Sequence, residues 1–395
     1  MYSSFVGIDI GKYRHQAAFI DHLGKKSSPD ISFDNTSEGF EMLLMSLNRF
    51  DQEQTVVGLE ATGHYWLALY SFLTDAGWTV KVINPIQTDA FRNIYIRKIK
   101  TDRVDSFIIA EVLRFGRYTE TILPDEKLSQ LKELSRCRTG LTESVGNLKR
   151  KIIAILDRVF PEFAACFSDV FGTSPSAVLN EYTTPEELAN ADIGKLIKLL
   201  ERNSRGRHSV KKANELQEKA RRSIGVKQGV KALTFEMKLL LAQMDFINGQ
   251  IKEFDSFIAE IMKGFALILS VPGIGAVTGG AIIGEIGNIT RFATPQKLQA
   301  FAGMDPKVTQ SGQFSGTYNK ISKRGSPYLR RALYIVANSA RIHDPIFKVH
   351  YERLVARGKH PKQALVAVAT KLLRVIHAVM TKGVPYSPAI LANEK

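Results

Sequence analysis

The sequence predicts an α/β domain over residues 1–122, an α-helical coiled-coil region with a basic insert over 123–263, and a mainly α-helical domain over 264–395. Three observations carry this division. Up to about residue 115, short runs of β-branched and aliphatic residues alternate with stretches of helical periodicity. Two later stretches then repeat apolar residues at heptad spacing, and the remainder is helical periodicity broken by Pro- and Gly-containing turns.

In the first part, Phe5-Val6-Gly7-Ile8-Asp9-Ile10 reads as a buried strand ending in an acid, with Gly11-Lys12 turning into a second strand over 16–21. A third strand near 31–33 leads to a helix over 37–50, where Phe40, Leu43, Leu44 and Leu47 fall at helical spacing. Thr55-Val56-Val57-Gly58-Leu59-Glu60 is again a buried strand ending in an acid. A helix over 63–76, a strand over 79–83 and a turn at Asn84-Pro85 follow. Thr101-Asp102-Arg103-Val104-Asp105-Ser106 opens the next helix, with Thr101 as its N-cap and Phe107, Ile108, Ala110, Val112 and Leu113 as its apolar surface. Three strands, helix, strand, helix, strand, helices is the order of a ribonuclease-H-like fold.

That order places Asp9 on the central strand, Glu60 at the end of a neighbour, and Asp102 with Asp105 three apart on one helix face. Four carboxylates are therefore expected to converge. Taken singly, each is an ordinary strand-end or helix-start residue. Together they suit two Mg²⁺ ions about 3.5–4 Å apart, because hard cations take oxygen ligands and two of them clamp the attacking and leaving oxygens at a phosphate. The surroundings are basic: Lys12, Arg92, Arg97, Lys98, Lys100 and Arg103 precede or interleave with the acids, as expected for a metal held against a polyanion.

The composition points the same way. Lys and Arg outnumber Asp and Glu by 54 to 39 over 395 residues, a formal charge of +15, which favours phosphate-rich partners such as nucleic acid. Cys137 and Cys166 are too few for a disulfide scaffold or a cysteine-built zinc site, and fit a reducing, cytoplasmic setting associated with the nucleoid. The first eleven residues do not read as a signal peptide. The most hydrophobic stretch, 265–287, carries Pro272, six glycines and Glu285, which argues against a membrane span and for close helix packing through Gly280 and Gly284.

From 126 to 160 Leu134, Leu141, Leu148 and Ile155 repeat every seventh residue, and Val145 and Ile152 form the adjacent row. Met237, Leu240, Met244, Ile247, Ile251, Phe254, Ile258 and Ile261 alternate by three and four. These two helices are expected to pair within the chain or with another copy, as a coiled coil or as a plain bundle core. Between them, 161–230 reads as helical and polar, interrupted by Pro175 and Pro185, with eight cations crowded between Arg202 and Arg222. Such a run is either a solvated face or a phosphate-backbone contact. Pro272-Gly273-Ile274-Gly275 then reads as the hairpin of a helix-hairpin-helix-like motif, where Gly273 and Gly275 would let backbone N–H groups approach a phosphate, or as a tight turn between core helices. Gln310-Ser311-Gly312 precedes the basic segment Lys320, Lys323, Arg324, Arg330 and Arg331, which is expected to contact nucleic acid as are the cations around the acids, with a helix starting near Pro327.

With Asp9, Glu60, Asp102 and Asp105, Pro272-Gly273-Ile274-Gly275, and Gln310-Ser311-Gly312 ahead of Ser322-Lys323-Arg324-Gly325, the chain closely resembles the DEDD-class insertion-sequence transposases, relatives of the Piv DNA invertase. The resemblance spans nearly the whole chain. It implies a RuvC-like N-terminal domain, a coiled-coil middle and a C-terminal transposase domain. It also implies that the acidic tetrad binds Mg²⁺ and that Ser311 is the nucleophile that attaches covalently to DNA. A non-coding bridge RNA pairing with target and donor DNA is implied by the same kinship, whereas a dimeric or tetrameric assembly is expected from the heptad helix over 237–261, because an exposed seam of that length would be a liability in a monomer. Gln313 follows the Ser-Gly pair where many members carry a second glycine, and Ser315 is the nearest other serine.

Three other readings use the same residues. A RuvC-like Mg²⁺-dependent nuclease would cut without a covalent intermediate. An actin-like or sugar-kinase-like ATPase would use Asp9-Ile10-Gly11-Lys12 as a phosphate loop, but the C-terminal half lacks a second copy of that pattern. A non-catalytic nucleic-acid-binding protein would need only the helix-hairpin-helix-like motif and the basic helices.

Overall fold

The computed structural model describes residues 2–61, 63–92, 101–116, 118, 125–207, 209–306, 310–311, 314–315 and 320–389, without the side chains of Ile86, Gln310, Ser311, Phe314 and Ser315. The chain divides into two compact units, Met1–Leu123 and Pro124–Lys395.

The first unit contains strands β1 (Ser4–Asp9), β2 (Arg14–Asp21), β3 (Lys26–Asp34), β4 (Thr55–Glu60) and β5 (Thr79–Ile83). Its helices are α1 (Ser37–Leu47), α2 (Trp66–Asp75), α3 (Pro85–Arg92) and α4 (Asp102–Phe115). The sheet order is β3-β2-β1-β4-β5, with β1, β4 and β5 parallel and β2 antiparallel to both its neighbours. This mixed sheet with helices on both faces is consistent with a ribonuclease-H-like domain. Strand alternation sorts the side chains: Val6, Ile8, Val57 and Leu59 pack under α1 and α2, while Phe5, Ile20 and Val56 pack under α4.

β3 is longer than the 31–33 expected, because an edge strand tolerates polar residues, and Pro29 falls at its register irregularity. The turn expected at Asn84-Pro85 is instead the start of α3, with Pro85 in the first helical position, where its missing N–H is no loss.

α4 rests on the sheet by its backbone. A Cβ on Gly7 would overlap the Ser106 carbonyl oxygen and the Ala110 amide nitrogen, and one on Gly58 would press on the Leu113 side chain. Thr101 caps α4 as expected, its hydroxyl accepting from the Val104 N–H at 3.3 Å, and Gly116 ends it in a left-handed conformation.

The second unit opens with α5 (Glu126–Val159), α6 (Thr173–Glu181), α7 (Pro185–Ala189), α8 (Ile193–Ser204), α9 (Val210–Arg221) and α10 (Val230–Met262). It continues with α11 (Ala266–Leu269), α12 (Ala276–Ile286), α13 (Pro295–Phe301), a two-stranded ribbon of β6 (Gln310–Ser311) and β7 (Phe314–Ser315), then α14 (Pro327–His343), α15 (Pro345–Ala356) and α16 (Pro361–Lys382). The heptad residues of α5 and α10 face each other within the chain. Val145, Leu148, Ile152 and Ile155 share one core with Met237, Leu240, Met244 and Ile247. The segment expected to be polar contributes Leu179, Leu188, Leu196, Leu200 and Leu216 to that core, and Pro175 and Pro185 sit in the first turns of α6 and α7 rather than breaking helices.

The other ends of α5 and α10 join α12, α14 and α16 in a second core through Leu131, Ile258, Ile282, Leu333 and Leu372. The apolar stretch 265–287 is two helices broken at the Pro-Gly turn, and Gly284 brings α12 against the α5 backbone at Lys132. α16 is long and apolar enough to cross a membrane by length and composition, but most of its apolar side chains lie inside this core.

The contact at Gly7 is backbone on backbone, so neither partner can rotate away. Gly7→Ala is expected to destabilise the first unit by about 3 kcal/mol, the upper range for overpacking. Gly58→Ala, which meets the end of a rotatable leucine, should cost about 1 kcal/mol. Denaturant unfolding of the two variants checks the order.

Candidate active site

The candidate site is built by strand register. On β1 the residues facing α4 are Phe5, Gly7 and Asp9, and on β4 they are Val56, Gly58 and Glu60. Ile8 pairs with Leu59 across these parallel strands, so Asp9 and Glu60 emerge side by side at the two carboxyl ends. α4 lies over the glycines with its N-terminal turn at that edge, bringing Asp102 and Asp105 to the same place. Asp105 is buried, 8% exposed, while Asp102 is at the exposed start of the helix.

Asp9 registers the other three. Its carboxyl is pushed up to about 6 from the usual 3.8 by burial first, then by the negative charges of Asp105, Asp102 and Glu60, against the opposing hydrogen bond from the Ile10 backbone. The four predicted acids therefore occupy one electrostatic neighbourhood.

α3 holds two of them. The buried Thr88 hydroxyl donates to Glu60 Oε2 at 2.6 Å, and Arg92 Nη2 donates to Asp105 Oδ1 at 2.8 Å while its Nη1 is 2.5 Å from Asp89 Oδ1. Arg92 Nε is buried without a partner among the described residues. Arg92 was legible only as one of several nearby cations, and the role of Thr88 was missed; the signal was the Asn84-Pro85 helix start, which puts positions 88 and 92 on one helical face. His15, also missed, is buried beside Phe33 and Phe40, and its Nδ1 accepts from the Gly11 N–H at 3.3 Å, fixing the turn that follows Asp9.

The donor set fits a hard divalent cation: it is entirely carboxylate oxygen, and a cation would relieve the repulsion that raises Asp9. Among the described residues, no three of these groups are drawn together tightly enough to form a finished cage.

The second unit presents Ser311. Ser311 pairs with Phe314, and Gln310 with Ser315, in the ribbon, whose base is closed by a bridge between Pro306 and Ile321. Beneath it the Ser322 hydroxyl donates to Asp305 at 2.5 Å, and its backbone N–H bonds the Asp305 carbonyl. The Ser326 hydroxyl caps α14 and donates to Glu285 at 2.7 Å, and that buried carboxylate also receives Arg136 through Nε and Nη2. The hairpin thus stands on a hydrogen-bonded base tied to α5 and α12.

The cations expected to contact nucleic acid fall into three groups. Lys12, Lys320, Lys323 and Arg324 are exposed cations. Arg103, Arg330 and Arg331 have partners within their own unit, the first and last at the surface: Arg103 Nε is 3.6 Å from Asp30, Arg330 donates to the Ala302 carbonyl, and Arg331 pairs with Glu143 at 2.8 Å. Arg97, Lys98 and Lys100 lie outside the described residues. In the Pro-Gly turn, Gly273 has a positive φ of 82° and its close approach is to the α14 backbone at Val336 and Ala340, while the Gly275 N–H is taken by the Thr278 hydroxyl.

Comparison with known proteins fits both parts. Residues 6–161 match the DEDD transposase profile of the IS110 type, and residues 265–352 match the transposase IS116/IS110/IS902 family. The chain is similar to the insertion element IS116 uncharacterized 44.8 kDa protein of Streptomyces clavuligerus, 24% identical over 98% of this chain and 96% of that one. It is equally similar to the insertion element IS110 uncharacterized 43.6 kDa protein of Streptomyces coelicolor, 24% identical over 98% and 96%. The pilin gene-inverting protein of Moraxella bovis is 24% identical over 99% of both chains. With two profiles matched in order and relatives aligned end to end, the chain belongs to the IS110/IS116/IS902 family of transposases and is a DNA transposase or recombinase.

Proposed function

We propose that the protein cleaves and exchanges DNA strands of a mobile insertion sequence with Asp9, Glu60, Asp102 and Asp105 as the Mg²⁺ ligands and Ser311 as the nucleophile. The observation that supports the metal assignment is geometric: Asp9 and Glu60 emerge side by side at the carboxyl ends of β1 and β4, at the edge where the first turn of α4 carries Asp102 and Asp105, and the raised Asp9 carboxyl agrees with that proximity. When bound, Mg²⁺ supplies Lewis-acid polarisation of the scissile phosphate. The chain's own residues do the rest. Ser311 Oγ attacks phosphorus, the bond from phosphorus to one flanking sugar oxygen breaks, and that oxygen leaves as a hydroxyl carrying the proton that the serine gives up. The phosphoserine ester keeps the bond energy, so a second strand's hydroxyl can reverse the step, giving exchange rather than hydrolysis. Lys320, Lys323 and Arg324, exposed at the foot of the hairpin, would hold the phosphate. Resemblance to the family supplies two further parts of the proposal, a non-coding bridge RNA as guide and action on donor and target DNA in the cytoplasm. The region 123–263, with α5 and α10 as a coiled coil, and the Pro-Gly turn as a helix-hairpin-helix-like element complete the proposed domain plan.

The chain also works as an oligomer in this proposal. The heptad seam of α10 is used inside the chain, but Phe235, Leu239, Phe246 and Phe257 are more than half exposed at spacings of four, seven and eleven along that helix. Those spacings make one stripe, which we assign to a second copy. Leu239→Glu with Phe246→Glu should lower the mass measured by light scattering to that of one chain; an unchanged mass, or a wild type that is already a single chain with and without nucleic acid, removes the assignment.

Asp9 gives a pH signature. Because its folded value of about 6 lies above the ordinary 3.8, its contribution to stability is full below about pH 4 and is lost as pH rises through 6. A divalent cation binds the deprotonated form and should offset that loss. In EDTA the melting temperature is expected to fall between about pH 4.5 and 6.5 relative to Asp9→Asn, and Mg²⁺ should raise it only above that window and only with Asp9 present. A melting temperature indifferent to Mg²⁺ at pH 7 counts against the metal assignment.

Ser311→Ala should abolish strand cleavage while changing stability by less than about 0.5 kcal/mol. Denatured protein trapped on labelled DNA and mapped by mass spectrometry should carry the adduct on Ser311. An adduct on Ser315 moves the nucleophile, and Mg²⁺-dependent cleavage with free ends and no adduct leaves a RuvC-like nuclease.

A further inference from the structure

The cationic run between Arg202 and Arg222 has no place in the chemistry above, yet it does not form a uniform solvated face. At the turn between α8 and α9 three of its cations, Arg205, Arg207 and Lys212, line an open cavity of about 510 Å³ together with Asn203 and the Gly172-Thr173 start of α6. Arg205 and Gly206 are both left-handed, with φ of 53° and 77°. Two consecutive left-handed residues reverse the chain so sharply that Arg205 and Arg207 both line one pocket. Asparagine or glycine would adopt the first conformation more cheaply, so the arginine is held there against its backbone preference.

The charges are available. Neither Arg205 nor Arg207 has an ion pair among the described residues. Lys212 is shared with Glu215 at 3.0 Å and stands over the Phe167 ring. The one acid on the wall, Asp169, is turned to the Phe171 backbone N–H at 3.0 Å. α6 begins at a glycine with no side-chain cap, so its first backbone N–H groups are left to other acceptors. The same two helices carry further exposed cations at Arg202, Lys211 and Lys219, which suits an extended polyanion better than a compact one.

We infer that this pocket seats a phosphate of a nucleic-acid backbone, anchoring the strand to the α6–α9 insert and away from the reacting phosphate. Nucleic acid as the polyanion rests on the transposase reading, whereas the anion site rests on the cavity and its three cations. Asparagine is at ease in the left-handed conformation, so the turn survives the removal of the first guanidinium. The test is therefore the full chain carrying Arg205→Asn with Arg207→Gln, against a control carrying Lys195→Gln with Lys198→Gln on α8.

Binding is measured in EDTA to duplex DNA of about 30 base pairs, to single-stranded RNA of similar length, and to inorganic phosphate alone, over a salt series. The slope of log affinity against log salt should fall by about 1–2 for the pocket variant on one or both polymers, with affinity reduced roughly 3- to 10-fold near physiological salt. Loss on DNA alone or RNA alone identifies the strand; loss on both means the backbone is read without distinction. Arg207→Gln by itself should lower the slope by about 1 and guards against misfolding of the double variant. A pocket variant whose slopes match the control overturns the inference. So does inorganic phosphate bound only by the wild type with polymer slopes unchanged, which would make this a small-anion site. Because no strand is cut in EDTA, the result is independent of whether Ser311 is the nucleophile.

Discussion

The candidate active site depends on the backbone of α4 lying directly on the central strands. Two strands carry the same local pattern, an apolar residue, a glycine two positions on and an acid two further on: Phe5, Gly7 and Asp9 in β1, and Val56, Gly58 and Glu60 in β4. Strand alternation turns all six to one face. The apolar residues make the floor under α4, the glycines let it descend to contact, and the acids emerge where its first turn ends. Any side chain at position 7 would lift the helix and carry Asp102 and Asp105 away from Asp9.

Bringing acids together in this way has an electrostatic cost, and the surrounding elements share it. The N-terminus of α4 favours negative charge through its free N–H groups. Burial and mutual repulsion act the other way and dominate at Asp9. Arg92 and Thr88 from α3 hold Asp105 and Glu60 through hydrogen bonds to charged groups, which are among the stronger kinds. A cation held among these acids would relieve the repulsion that raises Asp9, which is how the stability of the site would be linked to its proposed chemistry.

The second unit solves a different problem, how to present a short ribbon firmly from a helical body. The two long helices α5 and α10 each serve two cores, one with the α6–α9 insert and one with α12, α14 and α16. At the second core, Glu285 gathers Arg136 of α5 and Ser326 at the start of α14, so the base of the ribbon is fixed to helices from distant parts of the sequence. The insert is a helical layer that shares the core of α5 and α10, and three cations of its basic run, Arg205, Arg207 and Lys212, line one cavity while others stay on the surface.

Much of this was legible from the residues alone. Alternation, buried runs and capping chemistry are local, so the strands, the Thr101 cap, the two long helices and the acids at Asp9, Glu60, Asp102 and Asp105 could be read before any contact was known. The use of the heptad stripes inside the chain could not, because a heptad states that a helix has a partner and not which one. Nor could the roles of Thr88, His15 or Glu285, whose partners are distant in sequence or set by a turn. Asn84-Pro85 looked like a turn because proline punctuates both turns and helix starts, and only the packing of α3 beside the acids decided between them. The sequence by itself determined which residues can carry charge and most of the strands and helices. The tertiary structure alone decided which acids share a field and which arginines are already paired, because charge interactions depend on distance through space and not along the chain.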